Sequence, residues 1–289
     1  EELYIVFSSV TDKGLECLNH FPRLHTLVLR TDNITELGLE NVLNLINLKR
    51  LVVRSDDVAE DVFASFRYLK NLEELSLRQV DLRGEGLQYL GELTALKRLN
   101  IGAYSDATKP DYAKYRKRIK MEVGNMPSLE ELSLRYDGSA IELGDLPRLK
   151  VLDLSNNPVT DTGLTGLAAL PNLETLHLKG ANRIGNEVLA KIGNLHRLKE
   201  LDLSLTRINN ANIANLSGLH DLRFLNISST AADNGCLQHL TGLREIRYIE
   251  YPRSLNDEDL KHLSGLTKLR NLRLGTVTDQ GMAHIESLT

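Results

Sequence analysis

"LDLSNNPVTDTGLTGLAALPNLETLHL", residues 152–178, begins and ends on the same phrase, LDL returning as LHL. Leu152 and Leu154 stand either side of Asp153, and Leu176 and Leu178 either side of His177. Apolar and polar residues in alternation have the period of a strand buried on one face. Between the two phrases, "VTDTGLTGLAAL" (159–170) offers a threonine as helix N-cap, an acid in the first turn and apolar residues at helical spacing beyond. One strand and one short helix cannot bury their own apolar faces, whereas stacked copies can.

The copies are there. The phrase L-x-x-L-x-L, with Val, Ile or Tyr as occasional substitutes, starts at Leu24, Leu48, Leu72, Leu96, Leu129, Leu149, Leu173, Leu198, Leu222, Leu243 and Leu269. The intervals are 24, 24, 24, 33, 20, 24, 25, 24, 21 and 26 residues, and a degenerate copy at Leu3 and Ile5 makes about twelve. The helix motif recurs as "VTDKGLECL" (10–18), "ITELGLENV" (34–42) and "VTDQGMAHI" (277–285). The expectation is an α/β solenoid over residues 1–289, with parallel strands about 4.8 Å apart on one side and short helices on the other.

These repeats strongly resemble the leucine-rich repeat family over essentially the whole chain. The 24-residue form with T-D-x-G-L is similar to repeats of bacterial, planctomycete-type proteins, F-box adaptors and ribonuclease inhibitors. The family's turn asparagine is Asn157, and Asp32, Asp56, Thr206 and Thr230 fill its place elsewhere; Val80 and Val277 depart from the pattern. The resemblance implies a horseshoe-shaped solenoid whose concave sheet binds another macromolecule, a non-catalytic protein–protein interaction module. The alternative is the substrate-recognition domain of an F-box-type ubiquitin ligase adaptor, although no F-box-like helical segment precedes the repeats within residues 1–289. No polar cap is visible at either end, so a piece of a larger protein is expected.

Composition narrows the class. The chain is 42% apolar and 26% charged, as folded proteins are. It has no long apolar run to span a membrane and no signal-peptide pattern, which leaves the compartment open with the cytoplasm favoured. A net charge of −4 is too near neutral to imply nucleic acid or a membrane, and neither is the expected partner. Cys17 and Cys236 fall about nine repeats apart, roughly 40 Å at the strand spacing, too far to bridge; Cys236 replaces a helix leucine and reads as core. No nucleophile elbow, phosphate loop, zinc-binding pair or C-x-x-C is present, so no catalytic residue, metal or cofactor is assigned. The N-x-S/T triplets at Asn33, Asn215 and Asn226 are no more than such a composition produces by chance.

The rhythm breaks at 102–128, an enlarged repeat. Within it "KPDYAKYRKRIK" (109–120) carries six basic residues and one acid. Pro110 suits a first helical position, and Tyr112, Tyr115, Ile119 and Val123 follow at helical spacing, which predicts a longer convex helix with a basic outer face. That face is either simply solvated or a dock for an acidic protein or nucleic acid. The following 20-residue repeat is too short for a helix.

The register also predicts the concave surface. One column reads Arg30, Arg54, Arg78, Gly102 and Arg135, and a ladder of like charges is costly unless something anionic meets it. Glu74 and Glu131, beside Arg98 in the neighbouring column, are placed to offset part of that charge. His177 sits between Asp153 and Asp202, which allows a pH-sensitive contact. Phe224, Arg247 and Tyr251 mark an aromatic end, while Tyr248 falls at a core position. Candidate partner-binding residues are therefore Arg30, Arg54, Arg78, Arg98, Arg135, His177, Phe224, Arg247 and Tyr251. The expected partner is a protein with an acidic surface, bound by a monomeric domain.

Overall fold

The computed structural model describes the chain except for residues 7, 56–57, 59, 81–85, 104–119, 136–139 and 289. It forms two compact units, Glu1–Leu149 and Lys150–Thr289.

The first unit contains β1 (Glu2–Val6), β2 (Thr26–Arg30), β3 (Arg50–Arg54), β4 (Glu74–Val80), β5 (Arg98–Ala103), β6 (Lys120–Val123), β7 (Glu131–Arg135) and β8 (Ala140–Leu143). The order β1-β2-β3-β4-β5-β7 is a parallel sheet, and β6 and β8 pair with each other in a separate sheet. Leu3, Leu27, Leu51, Leu75, Leu99 and Leu132 occupy one rung position across the main sheet. From Leu27 onward these leucines are 0–1% exposed. Each such burial stabilises by about 1.5–3 kcal/mol, and stacking is what makes it available. Single helical turns return the chain, at Asp12–Leu15, Glu36–Leu39 and Phe63–Phe66, continued in the first two by 3-10 turns.

The basic segment departs from expectation at its end. Residues 109–119 lie outside the described residues, but Lys120 opens a strand, so helical spacing does not carry on to Val123. Met121 and Val123 are buried around exposed Glu122, a period of two, and they pair with Ile141 and Leu143 of β8. Among the described residues of the short repeat after it there is no helix, and β8 stands there.

The second unit contains β9 (Val151–Asp153), β10 (Leu164–Thr165), β11 (Thr175–His177), β12 (Glu200–Asp202), β13 (Phe224–Asn226) and β14 (Tyr248–Glu250). Strands β9, β11, β12, β13 and β14 pair in parallel in that order. Helical turns follow at Glu187–Ile192, Ile213–Gly218, Asn234–His239, Asp257–Leu260 and Asp279–Ala283. The helix expected over 159–170 does not form: Leu164–Thr165 is extended and only Leu167–Ala169 makes a 3-10 turn. The Lys191 ammonium donates to the carbonyl oxygens of Asp161 and of Leu164, the latter at 2.7 Å, satisfying acceptors that a helix would otherwise use.

The acid of the T-D motif has a role beyond the helix dipole. Asp12 accepts from the amide of Thr35 at 2.8 Å and from its hydroxyl at 2.7 Å, one repeat further on. Asp257 accepts from Thr278 in the same way, at 2.8 and 2.5 Å. Asp161 accepts from the Gly185 amide at 2.9 Å, and Asn186 and Asn210 from the Asn209 and Asp233 amides at 3.0 Å each. The motif's glycine follows from this, since a Cβ at Gly38 or Gly281 would collide with the carboxylate of Asp12 or Asp257.

Candidate interaction face

Three columns of side chains stand on the open face of the first unit's sheet. The middle column runs Val28, Val52, Ser76, Asn100, Ser133. Val28, Val52 and Ser76 are only 3%, 7% and 9% exposed, where the alternation implies open positions. They are short side chains between two flanking columns made mostly of arginine and glutamate. The result is a low floor with charged walls.

The two walls differ. In one, Glu74 accepts from Arg50 at 2.9 Å and from Arg98 at 3.0 Å. Burial raises the Glu74 carboxyl, but the hydrogen bonds from the two guanidinium groups outweigh it and hold it below its ordinary range. Arg98, a predicted partner contact, is thus already paired. The rim preceding the strands is balanced as well, with Glu73 between Lys49 at 3.5 Å and Lys97 at 2.7 Å. In the other wall, Arg30, Arg54 and Arg78 are direct neighbours, followed by Gly102 and Arg135. All four arginines are exposed. Arg54 donates to the side-chain oxygen of Gln79, while among the described residues no hydrogen bond or ion pair engages the side chains of Arg30, Arg78 and Arg135. The charge ladder foreseen in the sequence is therefore self-balanced in one column and open in the other.

On the second unit the same face is differently used. His177 stands in register between Asp153 and Asp202, as the sequence implies, but its Nε2 hydrogen-bonds Glu200 at 2.8 Å. Those aspartates are committed elsewhere: Asp153 accepts from the Ser155 amide and Asp202 from the Ser204 amide, both at 2.9 Å, and Asn226 accepts from the Ser228 amide at 3.0 Å. These side-chain turns close the strands. Among the described residues no cluster of three or more His, Cys, Asp or Glu side chains could hold a metal ion. No described helix is long and apolar enough to cross a membrane.

The aromatic end needs correction. Phe224 pairs with Tyr248 and Asn226 with Glu250, so Tyr248 belongs to the open face, 41% exposed, and Ile249 is the core residue. Arg247 precedes β14, on the rim rather than in the middle column, its amide bonded to the Arg223 carbonyl. The repeat phrase starts at Ile246, not Leu243, which restores an interval of 24 residues from Leu222. Tyr251 is half-buried and its hydroxyl donates to the Arg273 carbonyl at 3.0 Å, a bond that holds the last repeat. The turn ladder also shifts in the first unit, where Thr31 and Ser55, rather than Asp32, are buried and bond the backbone of Ser8 at 2.9 Å and Ile34 at 2.6 Å; Asp56 lies outside the described residues.

A family model described as a leucine-rich repeat region matches residues 137–288. The chain belongs to the leucine-rich repeat family. Leucine-rich repeats of known structure have the same fold. An internalin (inlF) from Listeria monocytogenes is 22% identical, with a TM-score of 0.61 over 100% of this chain and 85% of the other. A TDR receptor is 18% identical, with a TM-score of 0.61 over 97% of this chain and 49% of that one. Toll in its complex with Spatzle, from Drosophila, is 14% identical, with a TM-score of 0.61 over 96% and 38%. No curated protein sequence matches the chain.

Proposed function

We propose that this leucine-rich repeat chain is a non-catalytic module that binds another protein on the open face of its sheet, and that the partner presents an acidic surface to the first unit. One observation carries the reading: three exposed arginines, Arg30, Arg78 and Arg135, stand in a single column with no acidic partner among the described residues. Elsewhere on the same face and rim, Glu74 and Glu73 neutralise their basic neighbours. Like charges held in register are disfavoured, and arginine readily makes forked hydrogen bonds to a carboxylate. The solved Toll–Spatzle complex is a neighbour in fold that carries a bound partner. On the second unit, exposed Tyr248 beside half-buried Phe224 supplies aromatic area of the kind that dominates interface energies.

The test is affinity capture from native lysate with the wild type and with Arg30→Glu/Arg54→Glu/Arg78→Glu/Arg135→Glu, after circular dichroism shows equal folding. The wild type is expected to retain a partner that the charge-reversed protein loses. Equal capture by both removes the arginine column as the binding surface.

A further inference from the structure

We infer that the partner's main chain comes down onto the sheet at Gly102, where Asn100 takes one of its peptide groups and Arg78 and Arg135 grip acidic side chains to either side. The inference rests on the open-face reading above and locates the point of closest approach. Gly102 lies in the arginine column, directly between Arg78 of β4 and Arg135 of β7. Glycine inside a strand weakens it, because the unfolded chain has more freedom to lose and there is no side chain to pack. Nothing local asks for that cost. Gly102 takes no left-handed φ. A Cβ built on it meets no described atom within 4 Å, so neither packing nor the register shift between Arg78 and Val80 stands against a side chain. Gly38 and Gly281 differ, since there a carboxylate takes the space. What Gly102 leaves open is room for a backbone from outside.

The side chain beside this opening is polar and uncommitted. Asn100 precedes Gly102 on the open face and is half-buried. In the second unit Asn226 holds the same place in its leucine phrase, and its side-chain oxygen is spent on the Ser228 amide, two residues on. Gly102 instead stays in β5, paired on both sides, and among the described residues no hydrogen bond engages the Asn100 carboxamide. A free carboxamide offers both a donor and an acceptor, the complement of a peptide group. The exposed guanidinium groups of Arg78 and Arg135 stand one strand away on each side, about 4.8 Å, and Arg54 and Arg30 continue the column for further carboxylates. What fits is an extended acidic segment of a protein, presenting its main chain to Gly102 and its charges to the arginines.

Fluorescence anisotropy on the full chain tests this with a labelled peptide of alternating glutamate and serine, and with the same peptide N-methylated at its serines, which keeps every charge but obstructs the main chain. The unmodified peptide is expected to bind roughly tenfold more tightly. Gly102→Val should weaken it by roughly tenfold, and Gly102→Ala and Asn100→Ala by roughly threefold each. Thermal midpoints of the two Gly102 variants should be no lower than that of the wild type, because a strand gains from a side chain there. Equal affinity for the two peptides, no loss from either Gly102 substitution, or tighter binding of a single-stranded oligonucleotide than of the peptide overturns the inference. If Gly102→Val binds as the wild type does while the charge-reversed protein binds nothing, the main-chain contact falls and the open-face reading stands. If charge reversal also leaves binding unchanged, both fall. If neither peptide binds, the inference falls, and capture by the charge-reversed protein decides the open-face reading separately.

Discussion

The two units finish their strands in different ways. In the first, β2 and β3 run five residues, through Arg30 and Arg54, and the next residue turns inward as Thr31 or Ser55. In the second, β9, β11, β12 and β13 stop after three residues. The chain then passes through a left-handed residue at Asn156, Gly180, Leu205 or Ser229. Both solutions hang from the same leucine phrase, so the core does not dictate the turn. In β2 and β3 the longer strand ends on an exposed arginine, Arg30 or Arg54. The shorter strand spends Asp153, Asp202 and Asn226 on closing the turn. Recognition chemistry on this face is set by what the turn leaves over.

If the core is indeed common to both units, deleting one rung leucine from each should cost the same. Leu51→Ala and Leu152→Ala, both at 0% exposure, are expected to destabilise by about 2–5 kcal/mol in urea denaturation. A cost below about 1 kcal/mol in either unit breaks the equivalence of the two cores.

Turns should respond with opposite signs. Leu205 adopts φ 58°, a region that costs a branched side chain about 1–2 kcal/mol, and it is 49% exposed. Leu205→Gly relieves that strain and is expected to be neutral or to stabilise by up to about 1 kcal/mol. At the matching position of the first unit, Ser55→Gly removes a buried hydroxyl that bonds the Ile34 carbonyl at 2.6 Å, and should cost about 1–3 kcal/mol. Thermal midpoints of the two variants decide it; shifts of the same sign would mean the turns are not distinct.

The smallest effect is electrostatic. Glu74 titrates below its ordinary range in the folded protein, so its contribution is present above the unfolded value of about 4.3 and is lost as pH falls through the lower folded value. The urea midpoint gap between wild type and Glu74→Gln should therefore shrink from pH 7 to pH 3. Its size at neutral pH is about 1 kcal/mol, since both arginine partners remain substantially exposed to water. A gap that widens on acidification would reverse the assignment.

Much of this was legible in the sequence, and the exceptions are physical. Strand period and leucine spacing located every rung from Leu27 to Leu225, because burial on one face leaves only one register. One repeat later the phrase could be read from Leu243 or Ile246, and only pairing with β13 exposes Tyr248. The helix expected at 159–170 does not form: Gly166 takes a left-handed φ of 80° within it. Lys191, a repeat away, donates to the Asp161 and Leu164 carbonyls, a contact that no local pattern reveals. Residues of the arginine column were visible, but not that Glu74 would choose Arg50 and Arg98, since side-chain pairing depends on rotamers that spacing does not encode. The acid of T-D-x-G-L looked like a helix-dipole residue, yet it reaches the following repeat.

That reach makes the repeats interchangeable parts. Asp12, Asp161, Asn186, Asn210 and Asp257 all present an oxygen to a turn amide of the following repeat. What every joint shares is a backbone N–H donor, which every residue but proline has. The joints at Asp12 and Asp257 add a threonine hydroxyl and a glycine that leaves room for the carboxylate. A unit could be duplicated, deleted or shuffled by recombination and still find its fastening, whatever side chains it displays to a partner. Such a lineage can change what it recognises without redesigning how it holds together.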